Sequence, residues 1–268
     1  MQKLAIVALA FVLAACSQEK VELRSQPEPA QAAQAPSVLR VAAAASLREA
    51  AQEIGARFGA AEPAIRVELS FGASSELAAQ LRAGAPVDVL LSADEEIPRA
   101  LEAEGLGTEL RPFAGNRLVV IASVAAADRV EQASDLTGDA VKHIAMPGPA
   151  VPIGHYAREW LTKVGLLQAV EPRIVQTENV RATLAAVDAG NADAAIVYAT
   201  DARVAASARV AFEIPESEQP RIVYVALRAS ATKQPDTARR FLAFLGSNES
   251  ASILQDSGFP PPGASPAP

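Results

Sequence analysis

Two hydrophobic periodicities alternate along the middle of the chain. Ile65-Arg66-Val67-Glu68-Leu69-Ser70-Phe71 switches strictly between apolar and polar residues. At two residues per repeat this puts every apolar side chain on one face of a strand. Short apolar runs at Val38 to Ala44, Val87 to Ser92, Leu118 to Ala122, Ile144 to Met146, Ala194 to Tyr198 and Ile222 to Leu227 predict further strands. Between them the spacing becomes helical. Leu47, Ala51, Ile54 and Phe58 form one apolar stripe, and Trp160, Leu161 and Val164 a second. Val180, Leu184 and Val187 form a third, ended by Gly190; Phe241, Leu242 and Leu245 form a fourth, ended by Gly246. Strands alternating with helices predict an α/β fold with largely parallel sheets. No internal repeat is visible. Such sheets bind ligands beyond the carboxyl ends of their strands, beside helix N-termini.

Both ends of the chain depart from this pattern. Lys3 precedes an apolar run from Leu4 to Ala15, which has the length of a signal-peptide core and is short for a bilayer span. It closes in Leu13-Ala14-Ala15-Cys16, which resembles the lipobox of bacterial lipoproteins. That resemblance implies cleavage of the signal peptide 1–16 at Cys16, which then carries the lipid; the alternative is an ordinary signal peptide with an incidental cysteine. Cys16 is the single cysteine, so an exported body is expected to rely on its core and not on disulfides. Residues 17–37, rich in Gln, Ala, Pro, Glu and Ser, read as a flexible tether. The Pro-rich stretch 260–268 reads as a disordered tail.

The 268 residues, 50% hydrophobic and 21% charged, suffice for one large domain or two modest ones. A net charge of -7 argues against nucleic acid as a partner. It does not exclude an anionic ligand, because a local ring of N–H and O–H donors binds anions inside an acidic protein.

Five junctions carry candidate chemistry. At Ala42-Ala43-Ala44-Ala45-Ser46-Leu47 a strand ends in tiny residues before a helix, and Ser46 to Glu49 fits a capping box. At Ser70-Phe71-Gly72-Ala73-Ser74-Ser75 two serines start a helix; one suffices as a cap, which leaves a hydroxyl for a ligand. Gly148-Pro149-Ala150-Val151-Pro152-Ile153-Gly154 is a turn into a helix whose first N–H groups face outward around Ile153. Thr177-Glu178-Asn179-Val180-Arg181 opens another helix, and Ala195-Ile196-Val197-Tyr198 is a buried strand ending in a tyrosine. Each has an ordinary structural reading as a cap, a turn or a core aromatic. A serine hydrolase is the rival class, but G-x-S-x-G is absent and only His143 and His155 could serve a serine. No His/Cys cluster suggests a resident metal, and Asp88 and Asp94 stand singly near strand ends. The chain is therefore expected not to be an enzyme.

Taken in order, these junctions resemble the periplasmic molybdate-binding proteins of ABC transporters, a type II solute-binding family. The matching stretches include Ala43-Ala44-Ala45-Ser46-Leu47, Ser70-Phe71-Gly72-Ala73-Ser74-Ser75, Ala83-Gly84-Ala85-Pro86-Val87-Asp88-Val89, Leu91-Ser92-Ala93-Asp94 and Gly115-Asn116-Arg117-Leu118-Val119. Val151-Pro152-Ile153-Gly154, Asn179-Val180-Arg181 and Ile196-Val197-Tyr198 continue the series, so that it spans about Leu39 to Phe259. The resemblance implies two lobes, each a mostly parallel sheet flanked by helices: 38–115 plus 221–259, and 116–220. The hinge would be crossed near Gly115-Asn116 and near Pro220.

The resemblance further implies that a tetrahedral oxyanion, molybdate or tungstate, sits between the lobes. Neutral donors alone would contact its oxygens: the hydroxyls and N–H groups of Ser46 and Ser74, the backbone N–H groups at Ile153 and Val180, and the hydroxyl of Tyr198. Arg181 is an alternative anion partner, but its place after a donor position on an amphipathic helix favours a side chain that points to solvent. The implied protein uses no cofactor, works as a monomer in the periplasm, touches the membrane only through its lipid, and delivers its ligand to the permease of an ABC importer. Sulfate or another oxyanion is the alternative ligand. Two departures stand out. Ile153 occupies a place where the family usually has alanine, and Gly72-Ala73 replace common serines; the first keeps its backbone donor, while the second removes secondary ones.

Overall fold

The structure is a computed structural model that describes residues 37–263. The expected signal peptide, lipid site Cys16 and most of the expected tether lie outside the described residues, as does 264–268.

The chain forms two five-stranded sheets. The first begins with β1 (Ser37–Ala44), α1 (Arg48–Ala61), β2 (Ile65–Gly72), α2 (Ser74–Arg82), β3 (Val89–Ser92), α3 (Glu96–Ala103) and β4 (Gly107–Asn116). The second contains β5 (Leu118–Ala122), β6 (Ile144–Pro147), α4 (Pro152–Lys163), α5 (Leu167–Val170), β7 (Ile174–Thr177), α6 (Val180–Asp188), β8 (Ala194–Tyr198), α7 (Ala199–Ala202) and β9 (Arg209–Glu213). The chain then returns to the first sheet as β10 (Ile222–Ala229) and ends in α8 (Pro235–Leu245) and α9 (Asn248–Asp256). It thus passes between sheets at Arg117 and again between Glu213 and Ile222. Phe58 on α1 meets Phe241 on α8 edge-on at 5.2 Å, which seats the last two helices on the first lobe.

The strand orders are β2-β1-β3-β10-β4 and β7-β6-β8-β5-β9. Both sheets have one plan: three parallel strands, then two joined antiparallel. This structural repeat leaves no trace in the sequence. The expectation of mostly parallel sheets holds for the βαβ portions; the antiparallel pairs arise where β10 and β5, the strands next to the crossings, insert between their neighbours.

From Val41 to Ala44 strand β1 is a continuous apolar run because both its faces are covered there. Leu39, Val41 and Ala43 join the large core with α1, while Ala42 faces the smaller cluster of Leu77, Leu90, Leu101 and Leu227. Strands β4, β7 and β9, which the hydrophobic pattern does not predict, are all sheet edges. Edge strands need not be apolar and tolerate proline, and β4 carries Arg111-Pro112. The expected disordered tail starts too early. The Gly115 N–H donates to the Pro260 carbonyl at 2.7 Å, and Pro260 and Pro261 pack on Gly115.

Candidate functional site

The parallel strands of both sheets point their carboxyl ends at one small cavity. It is lined by Ala44, Ala45 and Ser46 after β1, Gly72 to Ser74 after β2, and Ala93 after β3. From the other sheet come Val151 to Ile153, Asn179, Val180 and Tyr198. Ser46, Ser74, Ile153, Val180 and Tyr198, the candidates named from sequence, therefore share one wall-to-wall site. Among the described residues that line it, none carries a charged side chain.

Neither serine acts as a helix cap, contrary to the capping readings. Ser46 lies in a short 3-10 turn, Ala45–Leu47, whose cap position is Ala44. Its Oγ is 2.9 Å from the Tyr224 hydroxyl. Ser74 is the first residue of α2, and the cap position is Ala73. The Ala93 N–H donates to Ser74 Oγ at 3.0 Å. A serine oxygen that accepts from a fixed backbone donor keeps its own proton for another partner. The first amide of α2 to bond backward is Leu77, to the Ala73 carbonyl at 3.0 Å, so the N–H groups before it remain available.

The other two helix starts each leave specific donors. In α4, Pro152 has no N–H and His155 is the first amide to bond backward, to Val151 at 2.9 Å. Ile153 and Gly154 therefore supply the free amides of that turn. Gly154 must be glycine, because a Cβ there would run into the carbonyls of Pro147 and Gly148. In α6, Asn179 is the cap, and its Oδ1 accepts from the N–H groups of Arg181 at 3.0 Å and Ala182 at 3.1 Å. Thr183 bonds to the Asn179 carbonyl at 3.0 Å. Within this first turn Val180 alone has an uncommitted amide.

Tyr198 ends β8 with 1% exposure, and its hydroxyl has no hydrogen-bond partner among the described residues. Such an orphaned buried hydroxyl is uncommon and calls for a role. Burial pushes its phenol well above the usual tyrosine range, and the nearby Tyr224 adds to the shift. It is therefore a donor at every ordinary pH.

Arg181 departs from the expected solvent-facing position. It lies outside the cavity lining and is 19% exposed. Its guanidinium takes Glu49 of α1 at 3.1 and 2.5 Å, so it ties the second lobe to the first. Its Nε is also 2.7 Å from Asp201 Oδ1, in ion-pair contact but off the line of a hydrogen bond. Asp201 is fully buried, and burial pushes its carboxyl up to about 7 against the pull of Arg181. Among the described residues neither histidine hydrogen-bonds Ser46 or Ser74: His155 is exposed against the Tyr156 ring, and His143 lies 3.9 Å from Asp193.

Sequence reasoning did not single out Asn179 as the residue that leaves Val180 free, nor the chain from Ser46 through Tyr224 to Asn116. Asn179 was legible, since Asn before a helical stripe is an N-cap signal. Tyr224 was not, because 178 residues separate it from Ser46.

Residues 39–260 match the family model of the bacterial extracellular solute-binding proteins. The molybdate-binding protein ModA of Haemophilus influenzae is 34% identical over 82% of this chain and 88% of its own. That of Escherichia coli K12 is 32% identical over 82% of this chain and 88% of its own. The solved Azotobacter vinelandii periplasmic molybdate-binding protein superposes with a TM-score of 0.75 and 26% identity, over 84% of this chain and 99% of that one. The two sheets with their shared plan, the cavity where their strands converge and the match across nearly the whole described body make this chain a member of the bacterial extracellular solute-binding protein family.

Proposed function

We propose that the cavity binds molybdate, or the nearly isosteric tungstate, and that the chain delivers it to the permease of an ABC importer. The observation that carries this reading is a neutral lining whose uncommitted polar groups are donors, with the Tyr198 hydroxyl orphaned among them. Ser46 and Ser74 would donate through hydroxyl and amide, Ile153 and Val180 through their amides, and Tyr198 through its phenol. Roughly six or seven hydrogen bonds to a charged ligand, at about 1.5–3 kcal/mol each, exceed the ordering costs of binding. They support a nanomolar Kd, about −12 kcal/mol. The relatives named above carry molybdate in their names, and they extend along the same stretch of chain.

A donor-only site selects among anions. It gives the proton of hydrogen phosphate no acceptor, which penalises phosphate. Sulfate carries no such proton and must be disfavoured by its smaller size. The lobes would be 38–115 with 221–259, and 116–220, closing on the ligand. The protein would work as a monomer without a cofactor, held at the periplasmic face of a membrane by a lipid on Cys16. Thermal unfolding with and without added oxyanion tests the reading. Molybdate at one hundred times its Kd should add about 2.7 kcal/mol of stability; an unfolding curve unmoved by molybdate, tungstate or sulfate refutes it.

A further inference from the structure

We propose that Tyr224, held by Asn116, is a positioning residue that aims the Ser46 hydroxyl proton into the cavity and so sets the preference for fully deprotonated tetrahedral dianions. This rests on the oxyanion reading of the cavity. Tyr224 does not line the cavity; it acts through Ser46.

Each buried proton along this path has one place to go. The Arg117 N–H donates to Asn116 Oδ1 at 2.9 Å, which fixes the orientation of that amide. Asn116 Nδ2 then donates to Thr200 Oγ1 at 2.9 Å and to the Tyr224 hydroxyl at 3.2 Å. Tyr224 has 0% exposure, so its own proton must find a partner inside the protein. The remaining neighbour is Ser46 Oγ at 2.9 Å. Were Ser46 to donate instead, the phenolic proton would be buried without an acceptor, which costs more than an ordinary hydrogen bond returns.

Ser46 Oγ therefore accepts from Tyr224, and its proton turns to the cavity. Ser74 reaches the same state by a different route, with the Ala93 N–H occupying its oxygen. Both hydroxyls are thus set as donors before a ligand arrives. Each has one acceptor position of its oxygen already taken, which makes that oxygen a poorer partner for a protonated anion. The Tyr224 ring is seated by Phe259 at 5.4 Å and Phe113 at 6.2 Å, so its position does not depend on the hydroxyl.

The test is isothermal titration calorimetry of the full chain at pH 7.5 with molybdate and with inorganic phosphate. Tyr224→Phe frees the Ser46 oxygen while keeping the ring. It is expected to weaken molybdate about tenfold and to narrow the gap between molybdate and phosphate. In a Ser46→Ala background the same substitution should change the molybdate Kd by less than about twofold. Asn116→Ala, which releases Tyr224 to accept from Ser46, should act in the same direction and serves where Tyr224→Phe does not fold. Equal losses in both backgrounds, or an unchanged molybdate-to-phosphate ratio, would overturn the proposal while leaving the oxyanion site intact. A wild-type chain that binds no tetrahedral dianion would overturn the reading of the cavity and this proposal with it.

Discussion

Replacing Val180 with proline deletes one hydrogen atom that matters and little else. Val180 is the first residue of α6, where proline is favoured because its fixed φ suits a helix start and its missing N–H has no intrahelical partner. The preceding Asn179 is already extended, at φ -157° and ψ 176°, which is the conformation proline imposes on its predecessor. The Asn179 cap bonds to Arg181 and Ala182 should persist. No neighbouring amide of that turn can replace the lost donor, since both are committed to Asn179. One hydrogen bond to a charged ligand is worth about 1.5–3 kcal/mol, so Val180→Pro should weaken molybdate about 10- to 150-fold. Val180→Ala, which trims the side chain and keeps the N–H, should cost less than about threefold in affinity. Calorimetric titration of the two variants separates backbone from side chain. Val180→Pro binding as tightly as wild type, or Val180→Ala losing as much as Val180→Pro, refutes the assignment of this amide as a ligand donor.

Tyr198→Phe should lower affinity about tenfold or more yet leave the unliganded melting temperature equal or higher, because the hydroxyl has no partner among the described residues to lose; a lower melting temperature would show an internal bond. Ile153→Ala should cost about 2–5 kcal/mol of stability in denaturant titrations, since the side chain sits in the core, with affinity kept within about threefold because the N–H survives. Asp201 holds its proton up to about 7 in the folded chain against 3.8 for a free side chain. Between those pH values the folded state binds more protons, so stability falls as pH rises through that window. Asp201→Asn should remove this fall, by a ceiling of about 4 kcal/mol above pH 7, and urea midpoints at pH 5 and 8 that drop equally in both proteins would contradict it. Arg181→Ala strips the buried Asp201 of its cation, so it should destabilise more at pH 8 than at pH 5.

Elements with covered faces were legible from sequence, as was the strictly alternating edge strand β2, whereas the edges β4, β7 and β9 were not. Strand β8, buried at all five positions, announces itself by composition. Strand β9 has exposed Arg209 and Val210 and an adjacent partner on one side, so no simple period marks it. The site divides the same way. Tiny residues and serines at strand ends, and helix stripes beginning at Val180 or after Pro152, marked the junctions because junction chemistry is local, and the family resemblance implied which residue at each one lines the site. What those residues do with their protons was not local. Ser46 looked like a cap, but its oxygen is taken by Tyr224 from the far end of the chain. Arg181 looked solvated on its own helix, but its partner Glu49 lies on α1, 132 residues away.

A site built from donors alone must discriminate among tetrahedral anions by their protons. Calorimetry of the purified wild-type chain at pH 8 with molybdate, tungstate, sulfate and phosphate tests it most directly. A donor-only site should show one site per chain, tight and similar binding of molybdate and tungstate, weaker sulfate, and phosphate weakest of all. Phosphate binding as tightly as molybdate would mean that the cavity presents an acceptor as well, and would contradict it.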